Sequence, residues 1–168
     1  MQTRGLRSEL DDFVAFDVET SDFDIDRCEI VELAAVRVRR RVVVDRFHSL
    51  IACCGPISPR ATDIHGYTDQ SLLGAPSLAE VWHRFREFVG NDLLIAHNGQ
   101  EFDVPVLRRL CAGFPGIDDL VFYDTLPLAR SLVEGSVKLT DLAARFNVEV
   151  GRAHHAFDDA YMLAGIVP

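Results

Sequence analysis

Three apolar, β-branched runs crowd into residues 13–51, and they commit the chain to building a sheet first. Phe13 to Glu19 (FVAFDVE) is an apolar run that breaks into carboxylates, as a buried strand with a charged C-terminal edge does. Glu29 to Arg39 (EIVELAAVRVR) is ambiguous at its start, where Ile30, Leu33 and Ala34 also suit a helix. Its second half alternates Val36 and Val38 with Arg37 and Arg39, the period of a half-buried strand. Arg40-Arg41 is a poor turn signal, yet Val42 to Ile51 resumes with β-branched residues. Together the runs predict a three-stranded antiparallel meander over Phe13–Ile51.

Beyond it the pattern changes period. Cys53 to Leu73 carries Gly55, Pro56, Pro59 and Gly66, which predicts a long loop with short helical turns. Ser77-Leu78-Ala79-Glu80 is a capping box. It opens a helix on which Leu78, Val81, Trp82, Phe85, Phe88 and Val89 form a core stripe, and Gly90-Asn91 stops it. Short strands are predicted at Leu93–Ala96 and Val121–Tyr123. Helices are predicted around Phe102–Cys111, Thr125–Leu132, Leu139–Phe146 and His155–Ile166. A meander followed by alternating strands and helices is an α/β architecture, which offers its strand ends as a site.

Composition narrows the function. With 168 residues, 48% hydrophobic and 26% charged, the chain has the apolar content of one globular domain and not of a disordered segment. Seventeen basic residues against twenty-six acidic ones give a net charge of -9. Such a balance does not suit a long grip on duplex phosphates, so any nucleic-acid contact should be short, local or helped by cations. The longest stretch free of Asp, Glu, Lys and Arg, Phe47 to Pro59, is too short and broken to cross a bilayer. The opening MQTRGLRSELDDF lacks the apolar core of a secretory signal. Cys28, Cys53, Cys54 and Cys111 have no zinc-like spacing, and adjacent Cys53 and Cys54 are expected to be ordinary buried thiols. These features predict a reduced, soluble, cytoplasmic protein.

Four acidic residues, at three places in the chain, carry the chemistry. Asp17 and Glu19, two apart at a strand end, point to the same side, and two anions so close call for protonation or a bridging cation. Hard oxygen ligands favour Mg2+ or Mn2+. The alternative is a solvated strand end feeding the acidic loop Asp22–Asp26. Asp103 opens a helix after the His97-Asn98-Gly99 turn, where the helix dipole alone would also favour it. Asp159 shares a helix face with Met162, Leu163 and Ile166, and His154-His155 stand just before that helix in an exposed or mobile segment.

Asp17-x-Glu19, then His97-Asn98 with Phe102-Asp103, then His154-x-Ala156-x-x-Asp159-Ala160 closely resemble the three motifs of the DEDDh family of 3′→5′ exonucleases. EIVELAAVRV, DIHGYTDQSL, DTLPLARSL and KLTDLAARFNV resemble that family's connecting segments, so the likeness covers roughly Phe13–Leu163. The polymerase III epsilon proofreading domains and RNase T belong to this family. The resemblance implies an RNase H-like fold whose mixed five-stranded sheet, a meander plus two further strands, is flanked by helices. It implies one exonuclease domain over 1–168, with its core at about 13–163, which would fit within a larger protein.

The implied activity is metal-dependent removal of the 3′-terminal nucleotide of DNA or RNA as a 5′-monophosphate, in proofreading or DNA repair. Two divalent cations, Mg2+ or Mn2+, would be held by Asp17, Glu19, Asp103 and Asp159. His154 would be the general base, chosen over His155 by the family's five-residue interval to Asp159. Thr20, Phe23, His65 and Asn98 would contact the terminal nucleotide, with Phe23 stacking on a base. The partner would be a single-stranded or frayed 3′ end, beside a polymerase or helicase. The chain departs from the common proofreading form in two places. Four residues separate Asn98 from Asp103, and Ser21-Asp22-Phe23 replaces a more usual Thr-Gly-Leu.

Two rival readings are weaker. One keeps the fold as a catalytically weak module that binds a polymerase, helicase or nucleic-acid end. The other, a phosphatase of the haloacid dehalogenase class, wants Asp-x-Asp where this chain has Asp17-Val18-Glu19.

Overall fold

A computed structural model describes residues 11–167. The predicted meander is present as β1 (Asp12–Thr20), β2 (Ile30–Arg39) and β3 (Val42–Leu50), paired antiparallel. β4 (Leu94–Ala96) runs parallel to β1, and β5 (Phe122–Asp124) runs parallel to β4. The mixed sheet has the order β3-β2-β1-β4-β5. Among the described residues the helices are α1 (Pro59–His65), α2 (Leu78–Val89), α3 (Asp103–Leu110), α4 (Leu126–Leu132), α5 (Leu139–Arg145) and α6 (Ala156–Ile166). A 3₁₀ turn occupies Asp69–Leu72. No helix among these is long and apolar enough to cross a membrane.

Local chemistry explains the boundaries. Ser77 and Glu80 form the reciprocal cap that starts α2, and Gly90, at φ 58, ends it. The β2–β3 turn is the weak sequence signal resolved. Arg40 and Arg41 both take positive φ, 48° and 66°, a conformation that two-residue hairpins need and arginine disfavours. Two aspartates hold it. The Arg40 N–H donates to Asp12 Oδ1 at 2.9 Å, and Arg41 Nε donates to Asp11 Oδ1 at 3.1 Å. One expectation is corrected: Cys53 is half-buried and Cys54 exposed, because their segment runs over the surface as loop.

The alternation of β1 builds two cores and aims the site. Val14, Phe16 and Val18 face the larger core, against Val81, Trp82, Phe85 and Val89 of α2. Phe13 and Ala15 face the other side, against Ala160, Leu163 and Ala164 of α6. By the same period Asp17 and Glu19 continue on the α6 side, where the apolar stripe ends. Phe85 is fully buried, with ring centroids 5.6 Å from Phe47, 5.9 Å from Trp82 and 6.5 Å from Phe16. Phe85→Ala is expected to cost about 4 kcal/mol of unfolding free energy, measured by urea titration.

Candidate active site

The site forms where β1 runs out beneath the start of α6. Asp17 and Glu19 come from the last residues of β1, and Asp159 from the first turn of α6. One carboxylate oxygen from each lies within 4.8 Å of the others. Asp103, the first residue of α3, is buried behind them, and its Oδ1 accepts the Val18 N–H at 3.3 Å. The sheet thus ties the α3 carboxylate to β1 through the main chain between the two strand carboxylates.

This crowding shows in the proton affinities. Burial, then the neighbouring Asp103, Asp159 and Glu19 carboxylates, push Asp17 well above the usual carboxylate range. Burial, followed by repulsion from Asp159, raises Glu19 to about 8. Asp103 and Asp159 are raised to about 6, in both cases chiefly by burial. Hydrogen bonds from main-chain N–H groups partly oppose the rise at both. A set of hard oxygen ligands that repel one another and face one point suits a divalent cation. Asp17, Glu19 and Asp159 are the residues that would hold it.

Asp17, Glu19, Thr20, Phe23, His65, Asn98, Asp103 and Asp159 all line one open cleft of about 310 Å³. Thr20 is buried, its hydroxyl donating to the Asp22 carbonyl at 2.7 Å. Phe23 is 40% exposed, with the Arg60 guanidinium 4.5 Å from its ring centroid. His65 is buried, and both its ring nitrogens are engaged by main-chain groups, so it offers the cleft a ring and no free polar atom. Asn98 is exposed and left-handed, at φ 65. His154 does not line the cleft. It stands exposed just before α6, and its main-chain N–H donates to Asp159 Oδ2 at 3.2 Å.

Two buried acids matter that the sequence reading did not single out. Asp124, at the end of β5, accepts the N–H groups of Asn98 at 2.8 Å, Leu126 at 2.9 Å and Gln100 at 3.1 Å. It clamps the turn leading from β4 to Asp103. Glu32, 1% exposed near the start of β2, accepts from His48 Nε2 at 2.7 Å and from the Ala156 N–H at 2.9 Å. Burial acts to raise the Glu32 pKa, but the hydrogen bonds from His48 and Ala156 outweigh it and hold the carboxylate below its ordinary value. An acid within the otherwise apolar run Ile30–Val36 was the available signal for Glu32. Asp124→Asn puts a donor amide among three N–H groups that need acceptors. It is expected to cost about 2 kcal/mol in a thermal melt.

Comparisons with known proteins bear on the family and the fold. A family model described as "Exonuclease" matches residues 14–167. The epsilon subunit of DNA polymerase III from Aquifex aeolicus is 31% identical over 160 residues, which cover 92% of this chain and 77% of that protein. The PolC-type DNA polymerase III of Thermotoga petrophila is 35% identical over 156 residues. There the match covers 92% of this chain but only 11% of the polymerase, so the chain spans about a ninth of that relative. Among solved structures, exonuclease X in complex with 5′-overhanging duplex DNA matches with a TM-score of 0.73 and 27% identity, over 92% of this chain and 88% of that one. E. coli exonuclease I in complex with a dA16 oligonucleotide shares the fold, with a TM-score of 0.77 at 20% identity, over 90% of this chain and 38% of that one.

The fold is the RNase H-like one, with the carboxylate cluster at the end of its first strand. The chain belongs to the exonuclease family.

Proposed function

We propose that this chain is a DEDDh-type 3′→5′ exonuclease that releases nucleoside 5′-monophosphates from a single-stranded or frayed DNA end, with RNA as the alternative polymer. The observation that carries this is the convergence of Asp17, Glu19 and Asp159 within 4.8 Å, with Asp103 buried behind them. Duplex DNA with a 5′ overhang in the exonuclease X complex and dA16 in the exonuclease I complex support a DNA end as the ligand. The polymerase III relatives support a role beside a polymerase, as one domain over 1–168 with its core at about 13–163.

The residues divide the work. Asp17, Glu19 and Asp159 would hold two divalent cations, Mg2+ or Mn2+, with Asp103 supporting the set. Such cations would supply Lewis acidity, making a water more acidic and offsetting negative charge at the scissile phosphate. His154 takes the water's proton on a ring nitrogen. Phe23, at the mouth of the cleft, stacks on the terminal base, and Thr20 and Asn98 bound the space for its sugar. The acidic surface is no obstacle, because the contact is confined to one strand end.

The test is product analysis on 5′-labelled DNA and RNA oligomers with Mg2+, with Mn2+ and with chelator. A metal-dependent ladder shortening from the 3′ end is expected, and the DNA-to-RNA rate ratio names the polymer. No ladder with either metal from folded protein would overturn the reading in favour of a binding module.

A further inference from the structure

The His65-Gly66-Tyr67 segment runs from the cleft wall, which His65 lines, to the start of α6. His65 Nδ1 accepts the Tyr67 N–H at 3.0 Å. The ring proton therefore sits on Nε2, which donates to the Thr20 carbonyl at 3.1 Å, at the end of β1. Gly66, at φ 81, turns the chain so that the Tyr67 ring lies 5.2 Å from the His65 ring. From there Tyr67 reaches across to the start of α6. Its hydroxyl lies 3.1 Å from His155 Nδ1, with the two rings edge-on. Glu32 lines the same small pocket as Tyr67 and His155, and its carboxylate accepts from His48 and from the Ala156 N–H.

The Tyr67 hydroxyl and His155 Nδ1 share one hydrogen bond, and Glu32 accepts the N–H of the next residue, Ala156. His155 and Ala156, the two residues after His154, are thereby fixed from β2 and from the Tyr67 loop. His154 needs such support. It is exposed, sits in the left-handed region at φ 62, and its ring has no hydrogen-bond partner among the described residues.

We propose that Tyr67, alongside Glu32, is a positioning residue that braces His155 and the first turn of α6 and so fixes the main chain that carries His154 beside the cleft. This rests on the reading of His154 as the base. Tyr67 touches neither the carboxylate cluster nor the cleft wall, so its hydroxyl acts through the histidine segment or not at all.

Tyr67→Phe keeps the ring and removes the hydroxyl. Its kcat is expected to fall about tenfold with KM within about twofold, since small misplacements of a reacting group are costly. Mn2+ affinity, measured by calorimetry, should stay within about twofold. In a His154→Ala background the same substitution should change kcat no further, and amide hydrogen exchange across residues 152–157 should quicken in both backgrounds. An equal tenfold loss with and without His154 would mark a general packing effect and overturn the proposal, as would an unchanged kcat. If the parent protein degrades no strand with either metal, the exonuclease reading fails by itself. Exchange over 152–157 then decides the brace, and rates unchanged by Tyr67→Phe would refute it.

Discussion

Asp17→Asn is expected to lower nucleotide release by about 10³-fold or more and, in the same protein, to raise the thermal stability of the cation-free form. Both effects have one cause. Asp17 is half-buried and crowded by Asp103, Asp159 and Glu19, so its charge is costly unless a cation balances it. Removing that charge takes away a ligand and relieves the repulsion. The relief is on the order of 2 kcal/mol, or about 5 °C in Tm for a chain of this size. The sign in pH follows from the raised carboxyls. Their folded pKa values lie above the unfolded ones, so their contribution to stability is fully present below about pH 4. It is lost as pH rises through about 6, for Asp103 and Asp159, and about 8, for Glu19. Differential scanning fluorimetry of the cation-free parent should therefore show a falling Tm from mildly acidic to mildly alkaline pH, with Mn2+ restoring much of it at the alkaline end. Asp17→Asn should flatten this slope and abolish most of the Mn2+ shift. A parent Tm that rises with pH over that window, or a variant that keeps the full Mn2+ shift, would show that the cluster is not the cation site.

What the sequence disclosed depended on how local each cause is. β1 and β2 were readable because alternation is written into consecutive residues, and the Ser77–Glu80 cap because its partners are three apart. Asp17 and Glu19 were readable as a pair for the same reason. Asp103 and Asp159 were not. Each is also an ordinary helix-start acid, and only the resemblance to a family joined them to β1. The Arg40-Arg41 turn resisted reading because its support comes from Asp11 and Asp12, across the sheet. Asp124 and Glu32 lay furthest out of reach. Glu32 grips the N–H of Ala156, 124 residues away, and no pattern within either segment foretells that contact. Periodicity thus located the strand pair and the family resemblance the two helix-start acids, while the residues that hold all four in place came only with the folded chain.

His154→Ala is expected to lower kcat by about 10²–10⁴-fold while leaving Mn2+ affinity nearly unchanged. The asymmetry with Asp17→Asn comes from which atom does what. The link of His154 to the carboxylate cluster is its main-chain N–H on Asp159 Oδ2, which alanine retains. The imidazole contributes nothing to that contact, so its loss should remove a proton acceptor and spare the ligands. Backbone strain offers a competing explanation, because His154 sits at φ 62, where alanine is disfavoured by about 1 kcal/mol. His154→Gly separates the two. Glycine adopts that conformation freely, so a loss caused by strain would largely vanish, whereas a loss caused by the missing base would persist in full. Added imidazole should restore part of the rate to either variant, since a small diffusible base can occupy the space that the side chain leaves. Near-parental turnover in both variants at neutral pH would take His154 out of the mechanism. The brace from Tyr67 to His155 would then have no catalytic group to position.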